Sequence, residues 1–568
     1  MAQSDQFNGR LGLIFASIGA AIGTGNIWRF PRMVGANGGG TFLIPWLIFL
    51  FAWSIPLVIA EFAMGKRSRT GTIGTFRIFA GKKFAWMGLW TAWISTAIGF
   101  YYAIVAGWTI KYFQLGITGG LTGEGVDTTE VWNSFLQNPG QVIFFQFIVI
   151  CLTLAAIWKG AKAIEKVNVV LMISLFVLLF MSLFLSLWMD FEDGTLDGAT
   201  FMFSVDPDLL FEPEIWINAL SQSAWSCSAG MGMAITYAVY MRKDEDTVLN
   251  AFTMGLANNS ISIIAGLAVL SSIFAVSSDP LATVTGGSSA ITFLALPEVF
   301  AQAPGGSIGP FVMMAGFFLA LSFAALTSMI STVELCVRNF VDHGYNRERS
   351  VAITGLALFI FGLPSAVMWI KLDSAGVAFP EFLEVQDHIW GYGLMFSGLF
   401  IAFTIWKYGY VRWKAQVAAG EAPGGFKGYL GVGVSAFRDD FINTGDNDIV
   451  VGRWWDILLY IAFPILFTVL MVSYFGDMIA NTDDVWNPGN PKGLGIILAF
   501  WGVVAISFLF LNKYLIQRPI FRNIPEGAEV DISTLPGGDD DRVFELGELV
   551  PGFEHLASED AVFEAEAV

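Results

Sequence analysis

Long apolar stretches recur along the chain, separated by short polar segments. Many reach the ~18 residues that an α-helix needs as a minimum to cross about 30 Å of hydrocarbon. Lipid offers the backbone no partner but itself, so such runs predict an all-α polytopic membrane protein. Twelve spans are predicted, numbered here in chain order: 11–36, 40–64, 85–113, 141–158, 167–189, 214–240, 250–276, 310–341, 350–370, 384–410, 455–476 and 494–516. No basic head with a short apolar core and a cleavage site precedes span 1, so that run is expected to be retained.

Spans 1 and 6 break the apolar pattern. Span 1 holds "AIGTGN" (21–26) and span 6 holds "SCSAGMGM" (226–233). Close helix packing through small residues accounts for Gly19 and Gly23. It accounts less well for Asn26, Ser226 and Ser228 beside them. Interrupted helices explain both. Spans 1 and 6 also open consecutive groups of five, which predicts a 5+5 inverted repeat with a binding site between the breaks. A dinucleotide-type glycine loop is excluded, since no strand precedes it. The expected divisions are a cytoplasmic N-terminus (1–10), a first repeat (11–189), an outer loop with the second repeat (190–410), a cytoplasmic loop (411–454), spans 11 and 12 (455–516) and an acidic tail (517–568).

Charge then orients the spans. Segment 65–83 carries Lys66, Arg67, Arg69, Arg77, Lys82 and Lys83, while 114–140 has no base. Lys159, Lys162 and Lys166 follow, then base-free 190–213, then Arg242 and Lys243, then base-free 277–309. Arg347 and Arg349, and later Lys407, Arg412 and Lys414, continue the alternation. The positive-inside rule places both termini in the cytoplasm of a cell membrane. Arg29, Arg32, Lys371 and Lys492 are the exceptions.

Only 14% of residues are charged, yet the net charge is −18. Acids crowd the outer loops and the tail, where thirteen face Arg542 alone over 524–568. Two readings stay open, a surface adapted to high salt and an ordinary disordered acidic tail. Three scattered histidines and Cys151, Cys227 and Cys336, all inside spans, make no metal or disulfide spacing. No nucleophile–base or metal constellation supports an enzyme, and nothing points to nucleic acid. The partners expected are a small substrate and membrane lipid, for a monomer or homodimer.

"RLGLIFASIGAAIGTGNIWRFP", "NGGGTFLIPW", "EFAMGK", "ITYAVYMRKDED", "LPEVFAQAPGG" and "FAALTSMIST" resemble the neurotransmitter:sodium symporter family, in its prokaryotic amino-acid transporter branch. The resemblance runs from about residue 8 to 410. It implies a leucine-transporter-like fold and sodium-coupled uptake by alternating access.

The resemblance also implies residue roles. Amides of Thr24 and Gly25 and the Tyr102 hydroxyl would take a carboxylate. Carbonyls of Ala21, Trp225 and Ser226, with the Ser228 hydroxyl, would take an amine. This suits a zwitterion, whose two charges both need partners when buried. Gly23 stands where the monoamine branch has an Asp, so the substrate should bring its own carboxylate. Ile98, Tyr102, Trp225, Met231, Ser328 and Thr332 would line the side-chain pocket. Met231, adaptable in shape, favours large apolar or aromatic amino acids; the alternative is that it fills space around a small aliphatic one.

Two sodium sites are implied. The first comprises Ala21, Asn26, Ser226, Asn258 and the substrate carboxylate, a shared ligand that couples the two cargoes. The second comprises Gly19, Ile22, Ala324, Thr327 and Ser328; the last three share one helix face by their spacing. Trp46, Gln222, Ser226, Asn258 and Ser262 form a candidate chloride site. Arg29 with Asp387 would close the outer gate, with Tyr102 and Trp225 as a lid over the substrate. Asp342 and Tyr240 would close the inner one. The usual N-terminal Arg is replaced by Ser4 and the usual Trp by Phe7, which leaves Arg10 as a candidate substitute. A span-5 Pro is replaced by Ile173. These last departures keep open a second reading, a non-transporting amino-acid sensor on the same fold.

Overall fold

A computed structural model describes residues 7, 9–121, 126–191, 194–242, 245–285, 291–372, 376–444 and 448–516. Ser4, Lys243 and the expected acidic tail at 517–568 lie outside the described residues.

Ten helices among the described residues are long and apolar enough to cross a membrane. They are Gly40–Ser68, Lys82–Thr118, Pro139–Ile157, Ala161–Asp190, Thr247–Val276, Ile308–Asp342, Arg347–Val367, Glu381–Ala418, Arg453–Asn481 and Leu494–Leu515. They correspond to spans 2–5 and 7–12. Span 1 is a bent pair, Arg10–Ala21 and Gly25–Ala36, with 52° between its halves. Span 6, expected as one more crossing, falls short of the same standard. It consists of Pro213–Ser226 and the six-residue Met233–Ala238. Neither half, of 14 and 6 residues, is long enough to cross, and six residues separate them.

Span 5 shows how the bundle sits in lipid. Val170, Ile173, Val177, Phe180, Phe184 and Trp188 recur at helical spacing and are all exposed. The opposite stripe, with Asn168, Ser182 and Ser186, is buried. Apolar outside and polar inside is the reverse of a soluble helix, and it fits a hydrocarbon surround. Span 5 runs unbroken, with Ile173 on its outer face rather than toward the core.

Spans 1, 3, 5, 6, 7 and 8 pack around the two breaks, span 3 against span 8 most extensively. At the end carrying the base-free loops, short helices and a two-stranded antiparallel sheet, Ile370–Leu372 with Ala378–Pro380, cover the bundle. At the other end lie the basic loops, the helix Thr72–Ala80 and a helical run over 425–442. These are called the acidic end and the basic end below.

Candidate substrate and ion site

The first break falls at Ile22 and Gly23, after which the chain resumes in a π-helical turn, Gly25–Arg29. Gly23 is needed for close approach. A Cβ there would lie 2.5 Å from Ser328 Oγ and 3.1 Å from the Tyr102 hydroxyl. The Thr24 N–H and hydroxyl both donate to Tyr102 Oη at 3.2 Å. Two of the donors expected to receive a carboxylate, the Thr24 amide and the Tyr102 hydroxyl, therefore meet at one point.

The second break spans Cys227–Gly232 and is longer. Ser228, Gly230 and Gly232 all take positive φ, at 52°, 91° and 79°. Gly230 is pressed against span 10, where its Cβ would stand 2.9 Å from Gly398 Cα. The Ser228 hydroxyl donates to the Ala20 carbonyl at 3.0 Å and so ties the breaks together.

Asn26 is the hub between them. Its Oδ1 accepts the Gly23 N–H at 2.9 Å. Its Nδ2 lies 3.2 Å from Ser226 Oγ and 2.8 Å from Ser262 Oγ, donating to both. One terminal atom of the Asn258 amide lies 3.0 Å from the Ser226 carbonyl and 3.3 Å from that of Ala21. A nitrogen there donates to both. An oxygen there gathers the Ala21, Ser226 and Asn258 oxygens beside Asn26, which is a donor set for a hard cation. The residues expected at the first sodium site are thus brought together.

Those of the second site also converge. Thr327 and Ser328 hydroxyls each lie 3.3 Å from the Ile22 carbonyl and donate to it. The Ala324 carbonyl accepts Thr327 at 3.0 Å. A Cβ on Gly19 would lie 3.3 Å from Thr327 Cβ, which shows how close spans 1 and 8 run.

Of the remaining pocket residues, Tyr102, Trp225 and Ser328 are half-buried, while Ile98, Met231 and Thr332 are buried. Ser95 donates to the Met231 carbonyl at 2.6 Å, and Thr332 returns its hydroxyl to Ser328 O at 3.0 Å. The Trp225 ring lies on Gly391 of span 10, with no room for a side chain at that position. In the chloride set, Gln222 donates to the Gly25 carbonyl at 3.4 Å, and Ser262 to Asn258 O at 3.2 Å. Trp46 rests its ring on Phe30, 4.5 Å between centroids, and its buried indole N–H makes no hydrogen bond.

The gates differ from expectation. Arg29 donates to Ser221 at 3.0 Å, while Asp387 accepts the Tyr101 hydroxyl at 2.7 Å. The expected Arg29–Asp387 pair is not closed in this conformation, because each partner is held elsewhere. At the basic end, Arg10 does not take the place of the missing N-terminal Arg at Asp342. It lies beside Glu245 and Asp448 instead, at 4.0 and 3.4 Å. Asp342 is satisfied from its own helix by Arg338, one turn back, at 2.6 Å, and by the Gly71 N–H at 2.6 Å. Tyr240 donates to Glu334 rather than Asp342, and Arg347 clamps that carboxylate. Phe7 packs edge-on against Tyr237 and Tyr240. This end is sealed.

Three residues escaped the sequence reading. Glu61, fully buried in span 2, accepts the Gly230 N–H at 2.6 Å. Its carboxylate also faces the N–H groups that open Met233–Ala238. Arg338 and Glu334 are equally buried. All three are ionisable residues inside apolar runs, and such residues are usually functional; that signal was present in "EFAMGK" and "ELCVRNF". Arg69, outside the spans, donates to the Val239 and Met241 carbonyls that end span 6, at 3.1 and 2.5 Å. Burial, and then neighbouring Arg67, pull its guanidinium down to about 10, still charged at neutral pH.

The sequence profile of the sodium:neurotransmitter symporter family matches residues 4–137 and 134–428. The chain belongs to that family. This symporter is an integral membrane, sodium-dependent transporter rather than an enzyme. It is 30% identical over 415 residues to an uncharacterized sodium-dependent transporter of Bacillus subtilis, covering 71% of this chain and 88% of that protein. A counterpart in Methanocaldococcus jannaschii is 28% identical over 540 residues, 91% of this chain and 98% of its own. Among solved structures, MhsT in complex with L-phenylalanine superposes with a TM-score of 0.67 at 30% identity, covering 83% of this symporter and 100% of MhsT.

Proposed function

We propose that this symporter imports an amino acid with a large apolar or aromatic side chain, together with sodium, by alternating access between the two broken spans. The observation that carries the reading is the junction of Gly23, Thr24 and Tyr102. The Thr24 amide and the Tyr102 hydroxyl meet where no acidic side chain fits. A substrate carboxylate supplies the charge that is missing there and completes the first sodium site with Ala21, Asn26, Ser226 and Asn258. Gly19, Ile22, Ala324, Thr327 and Ser328 hold the second sodium. The Ala21, Trp225 and Ser226 carbonyls receive the amine, and Ile98, Met231, Ser328 and Thr332 surround the side chain. The phenylalanine bound to MhsT supports an aromatic substrate. Gln222, Ser226, Asn258 and Ser262 hold chloride. The basic end faces the cytoplasm.

A thermal-shift screen of the twenty amino acids, with sodium against potassium and then chloride against gluconate, tests the reading. Phenylalanine, tyrosine, tryptophan or leucine should stabilise the protein only in sodium. Stabilisation by none, or by small amino acids alone, rejects the substrate assignment. Uptake into proteoliposomes then separates transport from sensing: binding without accumulation would mean a sensor.

A further inference from the structure

Sodium held between spans 1 and 8 must leave toward the basic end in each transport cycle, a requirement that rests on the symport reading above. Span 5, which borders that route, runs unbroken from Ala161 to Asp190. The ion therefore needs another way through a packed core.

Directly below the second site, the Ser331 hydroxyl donates to the Thr327 carbonyl at 3.0 Å. Ser331 and Tyr237 share a hydroxyl–hydroxyl hydrogen bond of 2.8 Å. Beside Tyr237 stands Asn168 of span 5. Its amide is fully buried; the Tyr237 hydroxyl is its near polar neighbour, and neither amide atom makes a hydrogen bond of good geometry. A poorly satisfied buried amide costs up to about 1–3 kcal/mol, so its remaining hydrogen-bonding capacity suits a ligand. Past Tyr237 the track reaches Tyr240, which donates to the Glu334 carboxylate, and Arg347, which closes it. Phe7 lies edge-on to both tyrosines and stoppers the exit.

We propose that Asn168, Tyr237 and Ser331 form a transit site for sodium, entered when the ion leaves Thr327 and Ser328 and vacated toward Glu334. The ligand chemistry fits. An amide oxygen and two hydroxyls are neutral hard donors, too few to trap a cation but enough to replace part of its lost shell. Conduction requires this balance of easy entry and easy release. A water stationed at Asn168 serves the same passage, as one more oxygen for the departing ion. The three side chains come from three helices that pack around the second site, spans 5, 6 and 8.

The test separates binding from release. Asn168→Leu and Ser331→Ala are purified and compared with the parent protein in two assays. The first is the sodium concentration for half-maximal thermal stabilisation by the amino acid found in the screen above. The second is sodium-driven uptake of that amino acid into proteoliposomes. The expected result for Asn168→Leu is a sodium midpoint within about twofold of the parent and uptake slowed about tenfold. For Ser331→Ala the expected slowing is about threefold. Unchanged uptake in both variants overturns the proposal. So does a sodium midpoint that shifts as far as uptake falls, since that makes these residues part of binding. Should Asn168→Leu fail to fold, Ser331→Ala, which removes one oxygen and little volume, decides alone. Absence of sodium-driven uptake in the parent protein is a different failure, that of the symport reading.

Discussion

The two breaks do similar jobs by different means. In span 1 the interruption is two residues long and no residue there adopts positive φ. It depends on space, because Gly23 lets the backbone come against Ser328 and Tyr102. In span 6 the interruption runs over six residues and depends on backbone conformation, with three positive-φ residues. A carboxylate, Glu61, braces it from span 2. The first break is thus held by hydroxyls and an amide that cargo can displace, while the second is set by its own backbone and a buried carboxyl group. An element that binds cargo and then shifts should be held by exchangeable bonds, and its counterpart should be stiff. The substrate end of the site belongs to the first and its scaffold to the second.

The largest effect should come from filling the space at the first break. Gly23→Asp puts a second negative charge beside the incoming carboxylate. Two unit charges 4 Å apart repel by about 4 kcal/mol at an effective dielectric near 20. Amino-acid affinity should fall at least a hundredfold in the sodium-dependent thermal-shift titration. Retained affinity would put the carboxylate elsewhere and erase the functional difference between the breaks.

Next comes the brace. Glu61→Gln keeps the size and one acceptor oxygen but turns an NH2 donor toward the N–H groups of Gly230 and the start of Met233–Ala238. Leaving a buried donor unsatisfied costs about 1–3 kcal/mol, so uptake should fall about tenfold. The midpoint of thermal unfolding should fall with it, because this break is scaffold. A loss of uptake with no loss of stability would assign Glu61 to a moving part instead.

Gly230→Ala tests the same break through its backbone. A non-glycine residue at φ 91° carries about 1–2 kcal/mol of strain, and the new Cβ would press on Gly398. The unfolding midpoint should drop by a few degrees, with sodium affinity within about threefold of the parent. A variant as stable as the parent would show that the second break is not held by conformation.

Both breaks were legible in the sequence because glycines, serines and an asparagine interrupt apolar runs, and hydropathy records such interruptions directly. The positions around them were legible through family resemblance, and the structure draws those residues together. Partner choice was not legible. Asp342 has Arg338 four residues back, a pairing that helical spacing allows, yet the expectation went to Arg10 because relatives place an arginine near the N-terminus. Asp387 could face Arg29 or Tyr101, and only the packing of spans 1, 3 and 10 decides between them. The break in span 6 was legible, but its length was not: six residues separate a 14-residue rod from a 6-residue one. Asn168 carries no signal in sequence, since a single asparagine in a span acquires meaning only from what fails to bond with it.

The smallest effect should arise where the outer halves of the two broken spans meet. Arg29, just past the first break, donates to Ser221, just before the second. This bond holds the arginine away from Asp387, which the Tyr101 hydroxyl holds in turn. Ser221→Ala frees Arg29, and the open pair should then close more often. The exposed fraction of an outward-facing site falls when its gate closes, and apparent on-rate falls with it. Substrate association should slow about threefold, with dissociation slowed to match, so that equilibrium affinity changes little. The control is Asp387→Asn, which removes the charge that Arg29 would seek. Combined with Ser221→Ala it should restore the association rate, a non-additivity expected only when two side chains act on the same partner. If the double variant is merely the sum of the singles, Ser221 does not hold the gate. The outer half of span 1 would then be as firmly anchored as span 6, and the contrast between a break held by exchangeable bonds and a braced one would stop at the level of the binding site.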